Sequence, residues 1–134
     1  MIVLENFSHY KVKKTELLKT IKSVLKHLEV WPSWWLEVYL VDYSQMEELH
    51  RQLLKKSGPT TVISLGLPDN FFLAGLSGGG EVYLCPEEIK KSGLSLEYFL
   101  IHGILHLAGF NHQTQKQEKL MLAKEAEICA KIGL

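Results

Sequence analysis

The sequence predicts an α+β single domain, a small mixed four-stranded sheet packed with helices in the order β-α-β-α-β-β-α-α. Three observations lead there. Short runs of β-branched, aromatic and large apolar residues alternate with segments whose apolar residues recur at helical spacing. The 134 residues fit one unit, 1–134, and a chain of that length buries roughly two-thirds of the surface it exposes when unfolded. A hydrophobic fraction of 46% with 22% charged residues is ordinary folded composition, which argues against disorder.

Ile2 to Asn6 is a short apolar run suited to a first strand. Thr15 to Leu28 reads as a helix, because Leu17, Leu18, Ile21, Val24, Leu25 and Leu28 recur at helical spacing with lysines between them. Trp31-Pro32-Ser33 breaks it, and Trp35 to Val41 follows as a second strand. Ser44 with Glu47 three residues on has the form of a capping box. It opens a helix through about Lys55, with Met46, Leu49 and Leu53 on one face. Gly58-Pro59 ends that helix, and Thr60 to Leu65 is a third strand. Residues 66 to 80 hold five of the ten glycines and Pro68, which predicts a loop or loose hairpin connection. Phe71, Phe72 and Leu73 within it are placed to form a lid over a cleft. Glu81 to Cys85 is the fourth strand, and Pro86 suits the first turn of a short helix. Ser95 can cap a further helix to about Leu107, apolar nearly all round and therefore buried. Gly109 is placed to end it in a left-handed conformation. The last helix covers about Thr114 to Ile132, with Met121, Glu125, Ile128 and Ile132 on one side.

Formal net charge is zero, so no overall basic field draws in nucleic acid and any RNA contact falls to local patches. One is visible: Lys11, Lys13, Lys14, Lys19, Lys22 and Lys26 crowd the N-terminal region, where a solvated helix face is the competing reading. Cys85 and Cys129 lie far apart with no CxxC spacing. They read as small buried hydrophobes and suit a reducing compartment. No basic stretch followed by a long apolar one opens the chain, and no run approaches the ~18 apolar residues of a spanning helix. A soluble cytoplasmic protein with no membrane contact is the expectation. Trp31, Trp34 and Trp35, at a helix–strand junction, read as core packing, with base stacking as the alternative.

Chemistry concentrates in one segment. Three of the six histidines, His102, His106 and His112, fall within eleven residues. His102 and His106 are four apart, so a helix puts both on one face about a turn apart. Gly109 turns the chain, and His112 can swing back to supply a third nitrogen. Burying three unsatisfied imidazoles costs free energy, which one ion relieves. Three protein ligands and a water is the open arrangement of a catalytic zinc, so one Zn²⁺ per chain is expected. The spacing H-x-x-x-H-x-x-G-x-x-H is that of the metzincin proteases, which makes this a metzincin-like metal-binding helix. Those proteases need a glutamate after the first histidine as general base. Gly103 stands there, so peptide hydrolysis is a weak alternative. Gly78-Gly79-Gly80 is not followed by the Lys-Ser or Lys-Thr of a phosphate-binding loop, and no GxSxG elbow is present.

The run from His102 to His112, HGILHLAGFNH, resembles the signature H-G-x-L-H-L-x-G-Y-D-H of the YbeY family. Pro59-Thr60-Thr61-Val62-Ile63-Ser64-Leu65 resembles that family's P-T-D-V-L-S-F strand, and Gly80-Glu81-Val82 its G-D-I. Met121 and Glu125 sit where its last helix has M-x-x-x-E. The resemblance covers about residues 49 to 134. It implies a bacterial metal-dependent endoribonuclease specific for single-stranded RNA. Such an enzyme acts in rRNA maturation, including the small-subunit 3′ end, and in ribosome quality control. Zinc on the three histidines and RNA, ribosome or ribosomal-protein partners are implied with it. The family's basic pair Y-R-x-K is thought to engage RNA phosphate. It falls on Leu54 and Lys56, so the arginine is absent from its slot. Arg51, the only arginine in the chain, lies one helical turn earlier and is its candidate substitute, with a surface helix residue as the other reading. Asn111, Thr61 and Glu81 also replace family acidic residues.

The expected mechanism is attack of a zinc-activated water on a phosphodiester. Lys56 and Arg51 would balance phosphate charge. Ser64 would contact substrate or line the cleft, with a plain strand residue as the other reading, and Glu81 is a candidate base. The alternative is a non-catalytic, zinc-stabilised binding module in ribosome biogenesis.

Overall fold

The computed structural model describes residues 1–56, 58, 60–67 and 75–134. The chain runs β1 (Ile2–Asn6), α1 (Lys14–His27), β2 (Trp34–Leu40), α2 (Tyr43–Leu54), β3 (Val62–Gly66), β4 (Gly78–Leu84), α3 (Pro86–Ser92), α4 (Leu96–Leu107) and α5 (Gln115–Ile132). The short helix opened by Pro86 counts as an element of its own, so three helices rather than two follow β4. The strands lie in the order β1-β2-β4-β3. β1, β2 and β4 are parallel, and β3 runs antiparallel to β4, giving the mixed four-stranded sheet expected.

β2 alternates strictly, burying Trp34, Leu36, Val38 and Leu40 on one face. That face packs on α1, α4 and α5, whose Leu17, Ile21, Val24, Ile101, Ile104, Met121 and Ile128 complete the main core. Helix α4 lies at its centre, against β3, β4, α1 and α5. The other face of the sheet is partly covered by α2 through Met46, packed with Val41, Ile63 and Cys85. Beside it Phe7, Tyr39 and Tyr83 stack in a row, with Tyr39 5.9 Å from Phe7 and 5.4 Å from Tyr83. Trp34 is core, as read, and both cysteines are free.

Three local expectations change. The start of α2 is capped at Asp42, whose N–H donates to Gln45 Oε1 at 3.0 Å, so the box lies two residues before Ser44. The helix stops at Leu54, because Lys55 turns left-handed (φ 53°), ahead of Gly58. β4 begins at Gly78 rather than Glu81, so three glycines read as loop are strand. They are needed there because the neighbouring strands come too close for side chains: a Cβ on Gly79 would stand 1.9 Å from the Trp35 carbonyl oxygen. Phe71, Phe72, Leu73 and Pro59 lie outside the described residues.

Candidate metal centre

Helix α4 is set by its ends. Ser95 Oγ accepts from the Tyr98 N–H at 3.0 Å, capping the start as expected. After Ala108 the chain turns at Gly109 (φ 98°), a conformation that favours glycine. The helix buries Leu100, Ile101, Gly103, Ile104 and Leu105, which leaves His102 and His106 on the remaining side. The turn returns His112 to them. The three ring centroids form a triangle with sides of 4.7, 5.1 and 5.9 Å.

One nitrogen from each ring lies within 4.8 Å of the other two, so the trio can hold a metal ion. His102 Nδ1 meets Glu125 Oε1 at 2.6 Å, and Tyr98 donates its hydroxyl to Glu125 Oε2 at 2.7 Å. With its Nδ1 proton held by the carboxylate, His102 has a bare lone pair at Nε2. That lone pair faces His106 Nε2 at 3.2 Å. A cation shared by these nitrogens suits the donor set.

Electrostatics point the same way. Burial, then the neighbouring His102 and His112, hold the His106 pKa below its ordinary 6.5, which favours the neutral form a metal needs. Glu125 is 3% exposed. Burial pushes its pKa up, but the hydrogen bonds from His102 and Tyr98 outweigh this and leave it below the ordinary 4.5. It is therefore an ionised, fully partnered carboxylate beneath the site. Burial and the same carboxylate push the Tyr98 phenol up to about 12.

The histidines open on a cleft of about 480 Å³ lined also by Leu54, Thr60, Thr61, Val62, Ile63, Ser64 and Phe99. Ser64 is thus brought to the site, with its Oγ donating to the Gly103 carbonyl at 2.9 Å. Lys56 and Arg51 are not among the lining residues. Lys56 is exposed just past α2, and Arg51 is paired with Glu48 on the same helix. Leu54 does reach the cleft. Glu81 does not: Tyr83 donates to it at 2.7 Å, and it lies with Phe7, Tyr39 and Tyr83 on the far face of the sheet. Asn111 Oδ1 receives the Gln113 N–H at 3.5 Å in the turn before His112.

The position of a metzincin's glutamate, Gly103, faces the sheet. A Cβ there would meet Val82 Cγ1 at 2.8 Å, Ser64 Oγ at 3.0 Å and Val62 Cγ2 at 3.2 Å. The peptidase base is therefore sterically shut out as well as missing. A mid-helix Gly→Ala change usually stabilises by about 0.5–1 kcal/mol. At Gly103 the sign reverses: Gly103→Ala is expected to lower unfolding free energy by about 1–3 kcal/mol in a urea titration, the range for overpacking.

Fold and site together place this chain among small α+β proteins built around a three-histidine centre able to hold one metal ion. The sequence profile described as Endoribonuclease YbeY matches residues 3–133. The chain belongs to the YbeY endoribonuclease family, as its histidine run and P-T strand suggested. A relative named Endoribonuclease YbeY from Nocardia farcinica (strain IFM 10152) is 34% identical, over 95% of this chain and 77% of its own length. One of the same name from Mycolicibacterium smegmatis (strain ATCC 700084 / mc(2)155) is 32% identical, over 95% and 80%. The solution structure of TM1509 from Thermotoga maritima shares the fold, with a TM-score of 0.58 at 24% identity, covering 98% of this chain and 91% of that one. No helix among the described residues is long and apolar enough to cross a membrane.

Glu125 is the site residue that motif reading left without a role. Its signal was its register: an acid among Met121, Ile128 and Ile132 on the buried side of α5 needs a buried partner.

Proposed function

We propose that this protein is a cytoplasmic, single-domain, zinc-dependent endoribonuclease that cuts single-stranded RNA. Its role would be ribosomal RNA maturation, including the small-subunit 3′ end, and ribosome quality control in contact with ribosomal components. The observation that carries this is the convergence of His102, His106 and His112 at the head of an open cleft, in a chain of the endoribonuclease family.

His102, His106 and His112 would hold the ion. A zinc ion bound there supplies a water activated near neutral pH and positive charge for a phosphoryl oxygen. Glu125 orients His102 and keeps its proton on Nδ1. The Ser64 hydroxyl spends its proton on Gly103, so its oxygen faces the cleft as an acceptor for a ribose hydroxyl. Lys56, between Leu54 and Thr60 in sequence, is the cation we assign to the cleft rim; Arg51 is the weaker candidate because Glu48 already holds it. No carboxylate lines the cleft among the described residues, so no acidic general base is assigned.

The competing role, a zinc-locked binding module, draws support from the Glu125 bridge between α4 and α5. Stripping the metal separates the two. Catalysis predicts that chelated protein keeps its circular dichroism and melting transition, loses RNA cleavage, and regains it with added zinc. Cooperative unfolding on chelation, with no cleavage by the loaded protein, would establish the structural role instead. Acid acts as the chelator does. Imidazoles coordinate only when neutral, so zinc stoichiometry and cleavage should fall together as pH drops below about 6.5. The lowered His106 pKa pushes that loss to more acid pH than free imidazole would show. Full zinc occupancy at about pH 4 would refute an all-histidine site.

A further inference from the structure

The metal cleft has a charge deficit. Among the described residues that line it there is no lysine or arginine, although a phosphodiester backbone brings one negative charge per nucleotide. With zero net charge, the molecule has no general field to compensate. Its cations are gathered elsewhere, and one group of them borders a groove.

That groove, of about 380 Å³, lies where α4 begins and is lined by Tyr10, Lys11 and Lys90 over an apolar floor that includes Pro86, Ile89 and Leu96. Lys13, Lys14 and Lys91 nearby in sequence are spent on Glu16, Glu5 and Glu88. Lys11 and Lys90 are exposed and make no ion pair among the described residues. Lys90 Nζ stands 6.0 Å from the centre of the Tyr10 ring. An aromatic face, an apolar floor and two unspent ammonium groups match a nucleotide: a flat base to stack and flanking phosphates to neutralise.

The groove and the cleft share supporting elements. Thr61, which lines the cleft, accepts the Cys85 N–H at 3.0 Å, and the next residue, Pro86, lines the groove. Along α4, Leu96 is in the groove, and Phe99 and His102 are in the cleft. Leu96 and the first metal-site histidine are six positions apart on α4, about 9 Å along its axis and about 120° around it.

We infer that Tyr10, Lys11 and Lys90 form an exosite for single-stranded RNA, anchoring a nucleotide near the one whose phosphodiester sits among the histidines. This rests on the endoribonuclease reading above. It adds side-chain cations to those proposed at the cleft itself, whose described lining holds no lysine or arginine.

The test is steady-state cleavage of a single-stranded RNA oligonucleotide by the zinc-loaded full chain at several KCl concentrations. Lys11→Ala and Lys90→Ala should each raise KM roughly fivefold. Each should also flatten the slope of log(kcat/KM) against log[KCl] by about 0.7, the value for one single-strand phosphate contact. Tyr10→Ala should raise KM roughly tenfold through lost stacking. Lys124→Ala, paired with Glu127 beside the end of α1, is the control and should match the parent in both slope and KM. Parental KM and slope in both lysine variants, with the parent cleaving normally, would overturn the exosite and leave the endoribonuclease reading standing. A parent that neither binds nor cleaves RNA overturns both. Variants that keep RNA affinity but lose binding to a polyglutamate peptide would assign the groove to acidic protein segments, and that too overturns the inference.

Discussion

His106→Ala protein is expected to retain little zinc and to cleave RNA more than about a hundredfold more slowly than the parent, while Glu125→Gln keeps its fold and loses about 10- to 100-fold in zinc affinity. The two variants probe different atoms of one arrangement. His106 offers a coordinating nitrogen directly, 3.2 Å from that of His102. Glu125 is not one of the three candidate ligands; on the proposed reading it would act through His102, whose Nδ1 it holds at 2.6 Å. Glutamine preserves the size of the side chain and one acceptor oxygen, so His102 and Tyr98 still find a partner. What it removes is the charge that makes the imidazole a stronger donor at Nε2. Glu125→Ala is a different experiment, because it strands the Tyr98 hydroxyl and the His102 proton in a buried place. That costs about 1–3 kcal/mol of stability per orphaned group. Zinc titration of the glutamine variant therefore isolates electrostatics from packing. A Glu125→Gln protein that binds zinc as tightly as the parent would remove the carboxylate from the site's design.

Where the sequence was legible, the controlling physics was local. Ser95 and Gly109 mark the ends of α4 because a cap and a left-handed turn depend on the residue in place. The histidine spacing is legible for the same reason, since a helix fixes which residues share a face. What stayed hidden depends on partners distant in the chain. Glu125 lies 23 residues from His102, and nothing local says which imidazole meets it. Asp42, just before α2, and Ser44, in its first turn, each have a polar residue three positions on, so composition cannot choose between them. Side-chain register says nothing of whether Lys56 or Leu54 turns to the cleft; the left-handed Lys55 after Leu54 redirects the chain there. The loop reading of Gly78 to Gly80 failed because glycine marks a turn in one setting and a crowded strand in another.

That crowding makes Gly79→Ala the most damaging single-methyl change expected in this protein. Gly79 pairs with Trp35 across β2 and β4, at φ 124°. Its added Cβ would sit 1.9 Å from the Trp35 carbonyl oxygen and 2.7 Å from the carbonyl carbon. Both are backbone atoms in the middle of the sheet, so no rotamer change relieves the contact and the strands must part. The cost should exceed about 4 kcal/mol, a large share of the roughly 5–15 kcal/mol that holds a domain folded. At this chain length that lowers the melting temperature by roughly 15 °C or more. Gly75→Ala supplies the comparison: its φ of 84° is also positive but nearer the left-handed region, and a Cβ there meets nothing within 4 Å among the described residues. Its cost should stay near the ~1–2 kcal/mol of a left-handed residue. The difference between the two melts measures the clash together with the harsher backbone angle at Gly79. Damage at Gly79 also reaches the metal centre, because β4 carries Val82 directly beneath Gly103, next to His102. Displacing that strand tilts α4, so whatever folded fraction survives should bind zinc more weakly. A Gly79→Ala protein melting within a few degrees of the parent would show that β2 and β4 do not approach as closely as described.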